Sequence, residues 1–475
     1  MNDEPTTIAE RINATLTPVA DAVSAVVFFS VDLLGVSLPL VVVWLMLAGL
    51  VLTLALGLIN IRGFGHGWKL LFTRRGDPNA PGEITHFQAL SAALSGTIGL
   101  GNIASVPVAL TLGGPGALFW MVVAGFFGMS AKFAECALAV KYRRVLPDGR
   151  TLGGPMLYIE AVFARLGMNR MGKTLAIFFA VMAMGASVSV FQVNQAHAQF
   201  ANVTGVSAPV VFGVIMASAV AAIVLGGIRR VGAAARLIVP AMGLLYVGAA
   251  LTILALNIEA IPGAVSVIFA SAFGLDAAGG GVVGALINGM KRATYSSEAG
   301  VGSAAIAHSA VKTREPLTEG YVALLEPFID TIVVCTLTGL VVVVTGVYEP
   351  FLFQPEAVGI EITSAAFAQT FSWFPYLLLV ASLLFAFSTL VSWAFYGSQA
   401  AAYLFGPTRA TDVTFKLVLC LLLSTGAAVS LSAILNFIDS MLFAMAVPNV
   451  IALYLLLPEL RRDVEDYRKR GRPAG

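Results

Sequence analysis

Two stretches of this 475-residue chain gather hydroxyl, amide and glycine residues inside otherwise apolar surroundings. The first is Leu94-Ser95-Gly96-Thr97-Ile98-Gly99-Leu100-Gly101-Asn102-Ile103, and the second is Thr294-Tyr295-Ser296-Ser297-Glu298-Ala299-Gly300-Val301-Gly302-Ser303. Neither carries a nucleophile motif, a phosphate loop or a metal-ligand cluster, so the chemistry they suggest is coordination rather than reaction. Each glycine costs roughly 1 kcal/mol against alanine inside a helix. Gly96, Gly99 and Gly101 therefore predict a helix broken between Ser95 and Asn102. A break frees backbone N–H and C=O groups, which survive at membrane depth only where they line a cavity. Half-helix N-termini would present positive dipole ends to an anionic group. Unwound carbonyls, with Thr97 and Asn102, could coordinate a small hard cation.

The elements that position these stretches are membrane spans. The chain is 58% hydrophobic and 11% charged, with a mean hydropathy of +0.88, whereas a soluble domain carries about a quarter charged residues. The fold class expected is an all-α polytopic membrane protein with eleven crossings, at about 36–59, 87–109, 118–142, 174–201, 208–228, 236–257, 279–309, 319–347, 372–404, 413–433 and 437–457. No polar stretch is long enough for a second core. The expected organisation is an extracytoplasmic or interfacial segment over 1–35, one transmembrane transporter domain over 36–460 and a basic cytoplasmic tail over 461–475. Residues 1–22, with Arg11 among acids and threonines, lack the basic start and cleavage site of a signal peptide. Cys136, Cys335 and Cys420 lie in apolar segments without paired spacing and read as core packing, with no disulfide framework or metal site indicated. A formal net charge of +2 without a basic patch gives no reason to expect a nucleic-acid partner.

Charge tests the crossings independently. With alternating spans, Arg62, Lys69, Arg74 and Arg75 share one side with Lys141, Arg143, Arg144 and Arg150, then Arg229, Arg230 and Arg236, then Lys312 and Arg314, then Arg409 and Lys416, then the tail from Arg461 to Arg472. The loops 202–207, 258–278, 348–371 and 434–436 on the other side hold no Lys or Arg. The positive side is cytoplasmic, which places the N-terminus outside and the C-terminus inside, in a cell inner (plasma) membrane. The loop 348–371, with Glu349, Glu356 and Glu361, is the longest outer connection and a candidate lid over an external vestibule. The second break comes five spans after the first and runs in the opposite orientation. If the span at 36–59 is peripheral, the remaining ten form a 5+5 inverted repeat, each half opening with a discontinuous helix. Paired broken helices in such repeats point to a secondary-transporter site at the bilayer midplane. The competing reading is that the glycines merely allow close helix packing.

The residues also carry a family likeness. Ser95-Gly96-Thr97-Ile98-Gly99-Leu100-Gly101-Asn102-Ile103-Ala104, Leu112-Gly113-Gly114-Pro115-Gly116-Ala117-Leu118-Phe119-Trp120-Met121, Gly128-Met129-Ser130-Ala131-Lys132-Phe133-Ala134-Glu135, Tyr295-Ser296-Ser297-Glu298-Ala299-Gly300-Val301-Gly302-Ser303-Ala304 and Ile306-Ala307-His308 together resemble the alanine/glycine:cation symporter family, from about residue 40 to 460. The resemblance implies a leucine-transporter-like fold with one additional leading helix, and sodium- or proton-coupled uptake of small neutral amino acids. Carried over by position, it implies a substrate and cation site lined by Ser95, Thr97, Gly99 and Asn102, completed by Gln192, Tyr295, Ser296, Thr389 and Trp393. Two Na+ positions follow by analogy. One uses Thr97, Asn102 and the substrate carboxylate; the other uses the carbonyls of Ser95 and Ile98 with the hydroxyls of Ser388 and Thr389. All are hard oxygen ligands, as a small alkali cation requires. H+ is the alternative coupling ion, and a cation channel is the runner-up function, because Gly-rich backbone also builds selectivity filters.

Binding a zwitterion needs donors for its carboxylate and acceptors for its ammonium, which broken helices supply without a fixed side-chain charge. Tyr295 and Trp393 would wall the pocket, although a lone Trp on an apolar helix is by itself ordinary packing. Among the intramembrane charges, Lys132 and Glu135 are spaced i, i+3 and read as a structural ion pair. Glu326 and Asp330 read as charge compensation, with Lys291 and Arg292 as partners across the bundle. Asp439 reads as a first-turn acid opening the last span. His197 and His308 read as hydrogen-bonded packing. The letters Gly99-x-Gly101-x-x-Ala104 fit a dinucleotide fingerprint, but no strand precedes them and no acid follows at the required distance. The expected partners are thus a small neutral amino acid and the bilayer. The oligomeric state is left open, one chain sufficing for such a site.

Overall fold

Hydrocarbon leaves a spanning chain few options but helix, because every backbone polar group must be satisfied internally. The protein, a computed structural model described over residues 18, 21–33, 36–72, 80–274, 281–354 and 359–471, is accordingly mostly helical. The segment 1–17, Arg74, Arg75, Glu356 and Arg472 lie outside the described residues. Seven helices are long and apolar enough to cross a membrane: Ala117–Tyr142, Asn169–Thr204, Gly227–Leu256, Pro316–Thr345, Phe374–Phe405, Arg409–Ala428 and Leu431–Lys469. Two bent pairs raise the number to nine among the described residues, Leu40–Ala55 with Ile59–Phe72 at 62° and His86–Thr97 with Gly101–Gly113 at 46°. Pro209–Val224 is apolar but shorter, and Gly281–Ser297 with Ser303–His308 flanks the second glycine-rich stretch. On the helix Gly227–Leu256, Leu237, Leu244 and Leu251 recur every seventh residue and are 76, 77 and 51% exposed. That stripe is a lipid-facing surface.

Several expected boundaries move. The first span begins at Leu40 rather than 36, because Ser30–Leu33 and Val36–Pro39 pair as an antiparallel ribbon. Gly57 and Leu58, with φ of 67° and 57°, turn the chain out of that span. The expected loop 258–278 contains the helix Ile261–Phe273, and 348–371 contains the helix Ile360–Thr370. The last helix runs unbroken from Leu431 to Lys469, so most of the basic tail is helical. Asp439 therefore stands two turns inside that helix and is not a first-turn acid, which corrects the expectation for it.

The first broken helix packs against Gly227–Leu256 and Phe374–Phe405, and the second packs against Ala117–Tyr142 and Val106–Gly113. Close packing by glycine is real here too. A Cβ on Gly289 would lie 2.4 Å from the Ala117 carbonyl oxygen, so the competing reading of small residues holds for that position.

Candidate functional site

The first helix starts at a capping box, in which Thr85 accepts from Gln88 N–H and the Gln88 side chain accepts from Thr85 N–H, and it stops at Thr97. It resumes through a π-turn over Gly101–Ser105, a feature frequent at functional sites. Side chains meet the backbone groups freed between. Gly99 N–H donates to Asn102 Oδ1 (3.1 Å), and Leu100 N–H donates to Gln192 Oε1 (2.9 Å). In the second helix, Ser297 is the last helical residue, and Glu298, Gly300 and Gly302 take φ of 53°, 85° and 89° before Ser303 restarts it. Both breaks predicted from glycine spacing are present, and they meet. Asn102 Nδ2 donates to Ser296 Oγ (3.0 Å) and to Asp330 Oδ1 (2.6 Å), while Ser296 Oγ donates to Asp330 Oδ2 (2.7 Å).

A cavity of about 20 Å³ lies between the breaks, room for about one water. Gly96, Thr97 and Gly101 of the first break face Tyr295 and Glu298 of the second, with Gln192 and Trp393 on adjoining walls. Tyr295 packs edge-on against Phe191, with ring centroids 5.4 Å apart. Trp393 Nε1 donates to Glu298 Oε1 (3.0 Å). Of the residues expected at the site, Thr97, Gln192, Tyr295 and Trp393 thus share this cavity. Asn102 and Ser296 do not line it; their polar atoms turn to Asp330. Ser95, Ser388 and Thr389 form a separate contact behind it. Thr389 Oγ1 donates to the Ser95 carbonyl (2.9 Å), and Ser95 Oγ donates to the Ser388 carbonyl (2.7 Å). Gly99 sits between the two groups, and Ile98 is buried beside it. The Ser388 hydroxyl donates back along its own helix to Phe385 (3.0 Å).

The expected charge pairings are largely corrected. Lys132 does not pair with Glu135; its Nζ lies 3.3 Å from Glu326 Oε2, while Glu135 accepts from Asn449 (2.7 Å). Asp330 pairs with the first break rather than with Lys291 or Arg292. Arg292 pairs with Asp439, and Lys291 lies over the Phe28 ring at 4.2 Å. His308 is hydrogen-bonded, to Glu319 (2.5 Å) and to Glu326, and Glu319 also meets His86. His197 packs at 5.4 Å from the Phe212 ring, and its Nε2 has no hydrogen-bond partner among the described residues. Cys136, His308 and Glu326 bring their ligand atoms within 4.8 Å of one another. Both His308 nitrogens are already taken by carboxylates and an ammonium sits on Glu326, which leaves a metal ion no free place. Asp330 and Glu298 were missed as site residues. The signal for Glu298 was its place inside the second break and that for Asp330 was an acid at membrane depth, but nothing local showed that Asp330 would meet Asn102 of a distant helix.

The helix Ile360–Thr370 seats on these elements. Ile360 N–H donates to Gln195 Oε1 (3.0 Å), Gln199 Nε2 donates to Ser364 Oγ (3.1 Å), and Thr363 Oγ1 donates to the Ile103 carbonyl of the first break (2.7 Å).

Comparison with known proteins gives the fold and the family. A solved structure, that of MhsT in complex with L-phenylalanine, superposes with a TM-score of 0.55 at 14% identity, covering 81% of this chain and 98% of that one. The likeness gives the fold, that of the leucine transporters. The sodium/alanine symporter AgcS of Methanococcus maripaludis is 40% identical over 420 residues, 88% of this chain and 92% of the relative. The amino-acid carrier protein AlsT of Bacillus subtilis is 30% identical over 425 residues, 89% and 88% of the two chains. The sequence model of the sodium:alanine symporter family matches residues 21–474, and with relatives of this extent the chain belongs to that family, as a membrane transporter and not an enzyme.

Proposed function

We propose that this protein is a sodium-coupled symporter of small neutral amino acids, alanine foremost with glycine, working by alternating access. The observation that carries the reading is the meeting of two broken helices over one small cavity, tied by Asn102, Ser296 and Asp330. Thr97, Gln192, Tyr295 and Trp393 would surround the amino acid. The cavity, with room for about one water, would have to widen even for alanine, and its two aromatic walls favour a short side chain, since pocket size discriminates by roughly 1–3 kcal/mol per methylene. One sodium ion would sit at the Ser95 carbonyl and Thr389 hydroxyl, with the Ile98 carbonyl and Ser388 hydroxyl as further ligands. The Ser95 carbonyl and the Thr389 hydroxyl already lie within hydrogen-bond distance of each other (2.9 Å), and the hardness of all four oxygens suits an alkali cation. The other would use Thr97 and Asn102 with the substrate carboxylate, and requires Asn102 Oδ1 to leave Gly99 N–H. Gly99 and Ser296 act as supports of these positions.

In the same reading the chain crosses an inner membrane eleven times over 36–460, with N-terminus outside and C-terminus cytoplasmic. The span Leu40–Ala55 leads, and two inverted sets of five follow. The charge alternation and the opposite orientation of the breaks support it. The test is uptake of radiolabelled alanine by proteoliposomes. Saturable uptake driven by an inward sodium gradient and competed by glycine is expected. Uptake driven by a proton gradient alone would replace the coupling ion, and ohmic current without saturable uptake would replace the transporter by a channel.

A further inference from the structure

Helix ends alone could hold a zwitterion, yet the cavity carries one fixed charge. Glu298 is the charged side chain among its lining residues. The residue is 3% exposed, and its carboxylate accepts from Trp393 Nε1 (3.0 Å) and from the Ser303 hydroxyl. Its φ of 53° is a left-handed conformation that non-glycine residues seldom take and that clusters at ligand sites.

The buried charges around it do not balance. Lys132 lies on Glu326 (3.3 Å), His308 lies between Glu319 and Glu326, and His86 meets Glu319. Arg292 and Asp439 satisfy each other. By direct contact these basic side chains go to Glu319, Glu326 and Asp439, with the Lys132 charge reaching Glu298 and Glu135 only through space. Three buried carboxylates, Glu135, Glu298 and Asp330, keep only neutral hydrogen-bond donors among the described residues: Asn449 on Glu135, Trp393 and Ser303 on Glu298, and Asn102, Ser296 and Thr331 on Asp330. A buried carboxylate without a cation in contact is costly. Of the three, Glu298 alone borders the cavity.

We propose that Glu298 receives the α-ammonium group of the transported amino acid, an inference that rests on reading this cavity as the amino-acid site. The opposite pole falls to Gln192. Its Oε1 is held by Leu100 N–H (2.9 Å), and its Nε2 makes no hydrogen bond among the described residues, leaving two donors for the substrate carboxylate. The Tyr295 and Trp393 rings beside Glu298 suit a cation better than a neutral amine. Trp393 holds one carboxylate oxygen and Ser303 the other, so each keeps further acceptor capacity for a substrate cation. Substrates lacking the ammonium are then excluded by the unpaired charge they would leave behind.

The experiment compares wild-type, Glu298→Gln and Glu298→Asp protein in proteoliposomes, reading alanine KM, maximal rate, and binding of 22Na+ without alanine. Wild type that takes up no alanine overturns the underlying reading of the site, not this assignment alone. Given wild-type uptake, Glu298→Gln should raise the alanine KM by about 10- to 100-fold, the loss of one charge-assisted hydrogen bond. Sodium binding without alanine should be unchanged, and Glu298→Asp should recover most of the affinity. An unchanged KM in Glu298→Gln overturns the proposal. So does an equal loss of sodium binding without alanine, which would make the cation held there sodium. A measurement on wild type needs no variant: lactate, which replaces the ammonium by a hydroxyl, should not compete with alanine at 100-fold excess. Competition by lactate comparable to that by alanine would refute recognition of the ammonium even if both variants failed to fold.

Discussion

Gly99→Ala adds a single methyl group where two candidate sites touch. Its Cβ would lie 2.5 Å from Thr389 Oγ1 and 2.9 Å from Gln192 Nε2. Gly99 does not occupy the left-handed region, so the backbone itself tolerates alanine and the cost is contact alone. Gln192 ends a flexible side chain and can swing aside. Thr389 cannot yield without giving up its bond to the Ser95 carbonyl, 2.9 Å away. One lost hydrogen bond at about 1 kcal/mol and overpacking at about 1–3 kcal/mol together disfavour the closed arrangement by roughly 2–4 kcal/mol. At about 1.4 kcal/mol per decade that is a roughly 30- to 700-fold loss. The assay is alanine uptake as a function of external sodium, where Gly99→Ala should raise the half-saturating sodium concentration. The double variant Gly99→Ala/Thr389→Ala should restore part of what the single one loses beyond the cost of Thr389→Ala alone, because the clash with Oγ1 is gone. Strict additivity of the two, or wild-type sodium dependence in Gly99→Ala, would refute the packing argument.

Three further outcomes follow from the buried polar contacts. Lys132→Met leaves Glu326 without its ammonium, a loss of about 3–5 kcal/mol; thermal denaturation in detergent should show a lowered midpoint, partly restored by adding Glu326→Gln. Either Arg292→Met or Asp439→Leu alone should destabilise by a similar amount, whereas the double variant should lie near wild type, since a buried pair replaced by apolar groups is often neutral; a double variant as unstable as the sum would contradict this. Arg143 donates to the carbonyls of Ser309 (2.8 Å), Val311 (2.5 Å), Pro81 (2.7 Å) and Thr313 (2.8 Å). Arg143→Ala gives up bonds to a charged donor worth about 1.5–3 kcal/mol each, and amide exchange should rise locally over 80–84 and 309–313.

What could be read from the sequence was what depends on near neighbours. Gly96, Gly99 and Gly101 act on their own helix, so the first break was legible; Gly300 and Gly302 did the same for the second. Hydropathy placed the long spans for the same reason. The ribbon before Leu40 and the helices Ile261–Phe273 and Ile360–Thr370 were missed, because each is short and rests on tertiary support. The intramembrane charges were misassigned through a local rule. The i, i+3 spacing of Lys132 and Glu135 suggested a pair, but Glu326 from another helix comes within 3.3 Å of Lys132, and Asn449 takes Glu135. Asp439 looked like a helix opener until the helix proved to begin eight residues earlier. Of the expected site, Thr97 and Tyr295 lie in the two breaks, whose pairing the sequence already suggested, whereas Gln192 and Trp393 join them by a tertiary approach that only the family likeness anticipated.

The geometry also bears on how two ligands could act on each other without a long path. The unwound segment from Ser95 to Leu100 is held at one end by Thr389 Oγ1 on the Ser95 carbonyl and at the other by Gln192 Oε1 on Leu100 N–H. Thr389 belongs to the proposed cation position and Gln192 to the proposed amino-acid cavity, so each ligand would bear on one end of the same few peptide units. A cation that fixes the Ser95 carbonyl lowers the cost of ordering Leu100, and an amino acid that fixes Gln192 lowers the cost of ordering Ser95. Since the ordering is shared, the gain in affinity is the same whichever ligand binds first. The second break enters through Asn102, which bonds Gly99 N–H on one side and Ser296 with Asp330 on the other. On the proposed assignment, breakage of the first helix would supply the ligands, and its attachment to the second through Asn102 would pass their binding to that helix.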